Sequence, residues 1–337
     1  MVLNAAAATV AGVVIVTGAD GFAGRAVCAH FRAAGVPFRG LVRALSGDTA
    51  ARHDMLPVGD LATISDEALA NALRGAGSVV HLAGRAHVMH ETATEPRVAF
   101  RAANVTATER LARAAAAAGA AHLVFASSVK VNGEATPPDR PFREGDPPHP
   151  RDDYAASKWE AECVLADVAR ETGLSVTILR LPLLYGPGVK GNFARLTEAI
   201  ARGLPLPLGR IDNRRSLLGL GNFVAALDAV LSHPAPAPGA AVTYLLADAS
   251  PIATPQLVRA IAAALGVAPR LLSIPLPLLR LASACVGKAA AFERLAGSLV
   301  VDTTAFRSSF GGQAPRSLAD ELADMARERR PPAAPPL

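Results

Sequence analysis

Tyr154 and Lys158, in Tyr154-Ala-Ala-Ser-Lys158, stand four residues apart in a stretch that reads as helix. That spacing sets both side chains on one helical face. A tyrosine phenol ordinarily titrates at about 10, and an ammonium one turn away favours the phenolate. Tyr154 is therefore expected to titrate low and to exchange a proton near neutral pH while a carbonyl and an alcohol interconvert. Ser127-Ser128 ends the apolar run that starts at His122. Ligands bind at the carboxyl ends of strands in open parallel sheets, so a hydroxyl there can hold the reacting oxygen. The catalytic candidates are Ser128, Tyr154 and Lys158.

A second group could hold an anion. Gly18-Ala-Asp-Gly21-Phe22-Ala23-Gly24 follows the apolar run 12–17 and opens a helix. Gly18 can make the tight turn, Gly21 lets a pyrophosphate approach the backbone, and Gly24 permits close packing of helix on strand. The helix start offers free N–H groups and the positive end of its dipole. The pattern points to a dinucleotide. An acid at the end of the second strand would accept from the ribose 2′-hydroxyl of NAD, but the chain reads Gly40-Leu-Val-Arg43 there. Arg43 suits a 2′-phosphate or stacks on adenine, which favours NADP over NAD. Asp60-Leu61 is a candidate adenine contact.

These groups need a scaffold. β-Branched and apolar runs at 12–17, 37–42, 78–82, 122–127 and 175–180 read as strands. Helical stretches lie between them at 22–34, 65–74, 97–118 and 152–172, the last capped by Asp152-Asp153. The alternation predicts an α/β fold: a doubly wound parallel-sheet Rossmann domain with right-handed crossovers. A proline- and glycine-rich connection covers 132–151, long enough to be functional. Beyond 182 the punctuation changes and predicts a smaller C-terminal substrate-binding domain. A helix near 221–232 and a strand at Thr243–Ala247 return to the main sheet in this reading. The expected division is 12–181 plus about 213–250 for the dinucleotide domain, and about 182–212 plus 251–325 for the smaller one.

Composition narrows the classes. The chain has 337 residues, 51% hydrophobic and 19% charged, which excludes disorder for its bulk. Disorder is expected for the tails 1–11 and 329–337. The net charge is +5, with basic residues dispersed and not interleaved with aromatics. A nucleic-acid surface is therefore not expected. Three separated cysteines, Cys28, Cys163 and Cys285, offer neither a metal pattern nor a disulfide framework and suit free thiols in the cytoplasm. The apolar stretch 271–292 is broken by Pro275, Pro277, Arg280 and Lys288 and fails as a membrane span of about 20 residues. A helix burying Leu278, Leu279, Leu281, Ala282 and Val286 is expected instead.

The glycine turn, the Ser-Ser strand end and the Tyr/Lys pair together make residues 12–325 resemble the extended short-chain dehydrogenase/reductase family. Within it, the chain is similar to the nucleotide-sugar epimerases, dehydratases and reductases. The resemblance implies cofactor contacts from Phe22, Ala23, Leu82, Ala83 and Gly84 of His81-Leu-Ala-Gly84, from Asn104, Ser127, Tyr154 and Lys158, and from Leu181 of Arg180-Leu-Pro-Leu-Leu-Tyr-Gly-Pro-Gly188. It implies that Asn192 and Phe193 of Gly191-Asn192-Phe193, and Arg215 of Arg214-Arg215, hold a nucleotide diphosphate. Ser128 aligns with the catalytic hydroxyl. Asn132 stands where many relatives carry tyrosine, which changes the sugar contacts. Arg85 and His87 are further sugar candidates. Val129 and Lys130 occupy positions where dehydratases carry acids, so dehydration is disfavoured. The resemblance implies a UDP-sugar substrate, a homodimer built on helices 97–118 and 152–172, and no membrane span. The expected reaction is reduction of a UDP-4-keto-6-deoxy-N-acetylhexosamine for surface polysaccharide. The alternatives are a UDP-glucose or UDP-N-acetylglucosamine 4-epimerase and, in another class, a nucleotide-binding or redox-sensing protein without chemistry.

Overall fold

The computed structural model describes residues 12–47, 52–86, 94–137, 139–285, 287, 289–311 and 316–329. The strands are β1 (Val13–Thr17), β2 (Phe38–Val42), β3 (Met55–Pro57), β4 (Ala76–His81), β5 (His122–Ser128), β6 (Ser175–Leu181), β7 (Leu183–Tyr185), β8 (Leu217–Gly219) and β9 (Ala241–Leu245). Seven of them form one sheet in the order β3-β2-β1-β4-β5-β6-β9, and every pair is parallel. Sequence reasoning passed over β3, which has three residues, ends in Pro57 and pairs on one side only. Proline is confined to such edges because it cannot donate to a ladder. The last strand runs two residues earlier than expected, since its ladder with β6 closes at Arg180↔Leu245.

Both faces of the sheet are covered, as continuous apolar strands require. On β1, Val14 and Val16 face one core with Val27 and Phe31 of α1 (Phe22–Ala34) and Phe223 and Leu227 of α7 (Leu220–Ser232). Ile15 faces the other, with Leu69 of α2 (Asp66–Ala72), Leu111 of α4 (Ala107–Ala117) and Leu165 of α5 (Asp153–Thr172). The expected 97–118 helix is not uniform. It runs as α3 (Pro96–Arg101), a π-helical turn at Ala102–Thr106, then α4.

A smaller core gathers Tyr185, Phe193 of α6 (Gly191–Ala201), Ile261 of α8 (Thr254–Leu265), and Leu322 and Met325 of α12 (Leu318–Arg329). β7 and β8 pair parallel beside it. The 132–151 connection is strapped to residues 298–302: Thr136 N donates to Ser298 O at 2.9 Å and Phe142 N to Val300 O at 2.8 Å.

The expected buried helix over 271–292 is corrected. The segment carries two helices, α9 (Leu276–Cys285) and α10 (Ala289–Ala296). No residue of α9 is buried, and Leu278 and Leu281 are 56% and 63% exposed. The helix lies on the outside of the smaller core, with no layer above it among the described residues. Val286 lies outside the described residues, as do His87, the expected tail 1–11 and residues 330–337 of the expected tail 329–337; Arg329 is not in a tail but ends α12. α11 (Thr304–Phe310) packs back on β9 through Tyr244 and Phe306, with ring centroids 5.9 Å apart. Among the described residues, no helix is long and apolar enough to cross a membrane.

Candidate active site

The β1–α1 turn is shaped by what a side chain would strike. Gly18 has φ +64° and lies against the backbone of Ala83 at the end of β4. A Cβ on Gly24 would sit 2.1 Å from Gly18 O, so α1 starts against the turn as only glycine allows. Gly21 caps α1 with extended backbone and no side-chain bond, leaving the helix start open to an anion. Phe22 and Ala23 form the first turn beside it. This bare cradle at the carboxyl edge of β1 and β4 fits the pyrophosphate of a dinucleotide. Arg43 is exposed just past β2. Asp60 is exposed, and its Oδ1 accepts from Ala62 N at 2.9 Å, capping a turn; Leu61 beside it is buried.

A chain of buried polar groups ties this turn to the helices beyond. Thr108 donates its one hydroxyl proton to Asn104 O at 2.6 Å. Its oxygen can then only accept from His81 Nε2, 2.9 Å away. His81 Nδ1 is left to accept from Thr17 Oγ1 at 2.7 Å, and Thr17 Oγ1 accepts from Ala83 N at 3.1 Å. The network assigns the Nε2–H tautomer. Burial, with the Lys158 charge adding to it, holds the ring neutral by bringing His81 down to about 3.

The π turn aims Asn104 into this network. Its Oδ1 accepts from Arg85 N at 2.7 Å, and its Nδ2 donates to Arg85 O at 3.0 Å and to Ser157 Oγ at 2.9 Å. The segment after β4, with Leu82, Ala83 and Gly84, is thereby pinned against α5; Gly84 backs onto Asn104 Oδ1 and Lys158 Nζ. The Arg85 guanidinium lies over the Phe100 ring at 5.3 Å, and that ring is 6.1 Å from Tyr154.

Asp152 caps α5, its Oδ1 accepting from Ala155 N at 2.7 Å, and so fixes where Tyr154 enters. Burial pushes the Asp152 carboxyl up, but the Lys130 ammonium and the Ala155 amide outweigh it and hold it below its ordinary value. Ser128 ends β5 and hydrogen-bonds the Tyr154 phenol. Lys158 donates from Nζ to Ala126 O at 2.8 Å and lies 4.4 Å from the Phe125 ring. Burial brings its ammonium down to about 8, with Glu162 opposing the fall. The phenol departs from expectation. Burial pushes Tyr154 up to about 12, and Asp152 adds to the rise while Ser128 offsets part of it. Desolvation is the largest cause, and the lowering expected from the helical spacing does not prevail over it.

Behind the site is a buried clamp that sequence reasoning missed. Ser127 donates from Oγ to Glu162 Oε1 at 2.5 Å. Arg180 grips the same carboxylate, Nη2 to Oε2 at 2.6 Å and Nε to Oε1 at 3.1 Å. Both side chains are under 5% exposed. Arg180 also donates to Asn132 Oδ1 at 3.1 Å, and Asn132 Nδ2 donates to Arg143 O at 3.1 Å. Asn132 is thus buried with both ends of its amide occupied. The signal available in the sequence was the i, i+4 spacing of Lys158 and Glu162 on the Tyr154 helix.

The remaining candidates are spread over the smaller core. Leu181 ends β6 and packs with the α1 side of the sheet. Asn192 is exposed in the first turn of α6. Phe193 is buried, stacked on Tyr185 at 5.3 Å. Arg215 donates from Nη1 to Arg294 O at 2.7 Å and to Gly297 O at 3.0 Å.

The comparisons with known proteins agree with this geometry. Residues 14–243 match the model of the NAD dependent epimerase/dehydratase family. The chain is 36% identical over 267 residues to a UDP-glucose 4-epimerase of Vibrio cholerae, covering 79% of this chain and 80% of that one. It is 31% identical over 274 residues to a 2-alkyl-3-oxoalkanoate reductase of Stenotrophomonas maltophilia (strain K279a), covering 76% of each. The solved structure of MoeE5 in complex with UDP-glucuronic acid and NAD superposes with a TM-score of 0.74 at 26% identity, covering 94% of this chain and 98% of that one. A glycine turn at the β1–α1 junction, a phenol beside the end of β5 and a matched segment of this length leave one assignment: the chain belongs to the NAD dependent epimerase/dehydratase family.

Proposed function

We propose that the protein oxidises and reduces C4 of a UDP-sugar and works as a UDP-hexose 4-epimerase. The observation that carries this reading is the half-buried Tyr154 phenol, bonded to Ser128 and one helical turn from Lys158 at the carboxyl edge of the sheet. Gly18, Gly21 and Gly24 would hold a nicotinamide dinucleotide, which would supply the two-electron acceptor and donor. Tyr154 takes the proton of the sugar 4-hydroxyl and later returns it. Ser128 holds that oxygen. Lys158 carries positive charge beside the site and holds the nicotinamide ribose. The similarity to a UDP-glucose 4-epimerase supports return of the hydride to the opposite face of the sugar. Dehydration has no support at the strand end, where Val129 is buried and Lys130 pairs with Asp152 at 2.5 Å. Arg85, Asn192 and Arg215 are assigned to the sugar and its diphosphate. Residues 182–212 and 251–325 form the sugar-binding unit, and two copies pair through α3–α4 and α5.

Arg43 favours a second reading. A guanidinium where an acid would meet the ribose suits NADP(H), a reductant that enters and leaves. The same residues would then carry only the return stroke, reducing a UDP-4-keto-6-deoxy-N-acetylhexosamine. A relative that is a reductase supports this use of the frame. The test incubates the protein with UDP-glucose or UDP-N-acetylglucosamine without added cofactor, and separately with the 4-keto sugar and NADPH or NADH. Product is followed by NMR and reduced nicotinamide by absorbance. A C4 epimer without net cofactor change supports the epimerase. Stoichiometric consumption of reduced cofactor with the keto sugar supports the reductase. Neither product from folded protein overturns both.

A further inference from the structure

Large apolar side chains exposed to solvent are concentrated in one place. Among the described residues they are Leu45, Val98, Leu183, Leu204, Leu272, Leu278, Leu281 and Leu295. Half of them lie between 272 and 295, on α9, α10 and the segment leading into them. Leu278 and Leu281 are one turn apart on the same side of α9. The base of this hairpin is fixed. Asn213 Nδ2 donates to Leu295 O at 2.9 Å, and Arg215 holds the Arg294 and Gly297 carbonyls. Arg280 Nε meets Glu293 Oε1 at 2.8 Å and joins the two helices. The hairpin is thus ordered while its leucines stay uncovered, and an exposed patch of this kind marks an interaction surface.

Charge identifies what covers it. From residue 249 to residue 292 the sequence has no Asp or Glu, while Arg259, Arg270, Arg280 and Lys288 fall in that run. Arg270 and Arg280 are exposed. A second copy of the chain is a poor occupant. A two-fold interface sets the same patch against itself, and here it would face cations with cations; Glu293, which closes the run, already pairs with Arg280. A negatively charged surface with an apolar interior is the complement. Short helices with exposed leucines beside arginine, interrupted by proline and too short to span, suit the headgroup boundary of a bilayer.

We propose that the α9–α10 hairpin docks the enzyme reversibly on membranes bearing anionic phospholipid. Leu272, Leu278, Leu281 and Leu295 enter the headgroup boundary, and Arg270, which carries no ion pair to Glu293, meets lipid phosphate. This is independent of which C4 reaction the site performs.

The test is co-sedimentation of the full chain with phosphatidylcholine vesicles and with vesicles holding about 30% phosphatidylglycerol, against a tube without lipid. The bound fraction is expected to rise about tenfold on the anionic vesicles and to fall severalfold at about 0.5 M salt. The double variant Leu278→Glu/Leu281→Glu is expected to lose about tenfold in binding with unchanged Tm and turnover, because neither side chain is in the core or the active site. Wild-type protein that stays in the supernatant with anionic vesicles overturns the proposal. So does a double variant that sediments like the wild type. A wild-type dimer that the double variant converts to monomer would assign the face to a second copy and also overturn it.

Discussion

At the scale of single residues, the active-site pair sits against its own solvation. Tyr154 is raised to about 12 and Lys158 lowered to about 8 by the same burial, so in the free protein the phenol is neutral and must release its own proton to solvent before it can take the one on the sugar 4-hydroxyl. Tyr154→Phe removes the hydroxyl and leaves the ring. Turnover is expected to fall by about 10² to 10⁴ with cofactor affinity and Tm retained; near-normal turnover would remove Tyr154 from the chemistry. Lys158 makes a different prediction. Between about pH 8 and 10.5 the unfolded chain holds a proton that the native state has lost, so wild-type stability rises with pH in that window. Below it the buried ammonium costs roughly 3 kcal/mol, partly offset by its bond to Ala126 O and its place over Phe125. Lys158→Met is expected to be inactive yet more stable by about 1–2 kcal/mol at pH 7. The gain should shrink by pH 10 in denaturant titrations. A variant less stable at pH 7 would mean that those contacts outweigh the charge.

At the scale of elements, the β1–α1 junction depends on contact between backbones. A methyl group on Gly24 has no space 2.1 Å from Gly18 O, so Gly24→Ala must lift α1 from the turn. Dinucleotide affinity is expected to fall at least about tenfold, with a loss of roughly 1–3 kcal/mol in stability, read by calorimetric titration and by unfolding. Unchanged affinity would show that the cofactor does not use this turn. The junction was legible in the sequence because its demands are local: a strand, three glycines and a helix start. The helices carrying Tyr154 and Asn104 were legible for the same reason, through caps and periodicity. What escaped depended on partners far along the chain. The Glu162–Arg180–Asn132 clamp joins α5, β6 and the turn after β5, and no spacing rule pairs those residues. The π turn at 102–106 is one extra residue in a uniform alanine-rich pattern and leaves no compositional mark. α9 misled because its leucines have helical spacing, whereas burial also needs a second layer that periodicity does not reveal.

At the scale of the whole molecule, the two cores are tied by two carboxylates, the half-buried Asp248 and the buried Glu321. Asp248, just after β9, accepts from Tyr185 Oη at 2.8 Å, Gly219 N at 2.9 Å and Asn222 Nδ2 at 2.7 Å. Glu321 of α12 accepts from Gly221 N at 3.2 Å and Asn222 N at 3.1 Å at the start of α7. The small core is therefore pinned to the large sheet and should not unfold alone. Within that sheet lie two buried histidines on adjacent central strands. His81 ends β4, and His122 opens β5 with Nε2 2.8 Å from Thr177 Oγ1. Burial lowers them to about 3 and about 4 from an ordinary 6.5. Between pH 6.5 and about 4 the unfolded chain takes up both protons ahead of the native state, so stability is lost as pH falls. The expected slope between about pH 6 and 4.5 is roughly 2.7 kcal/mol per pH unit, twice the value for one group. The His81 ring cannot be hydrated without parting β4 from its neighbours, whereas His122 and Thr177 also line a small open pocket beside β9, so the loss through His81 should appear as global unfolding rather than local fraying. His122→Gln should about halve the slope and leave the active-site network around His81 intact. Denaturant midpoints measured across that range, before most carboxylates titrate, would decide it. A wild-type slope near zero would mean that the native state takes up these protons, and the sealed interior of the sheet would have to be abandoned.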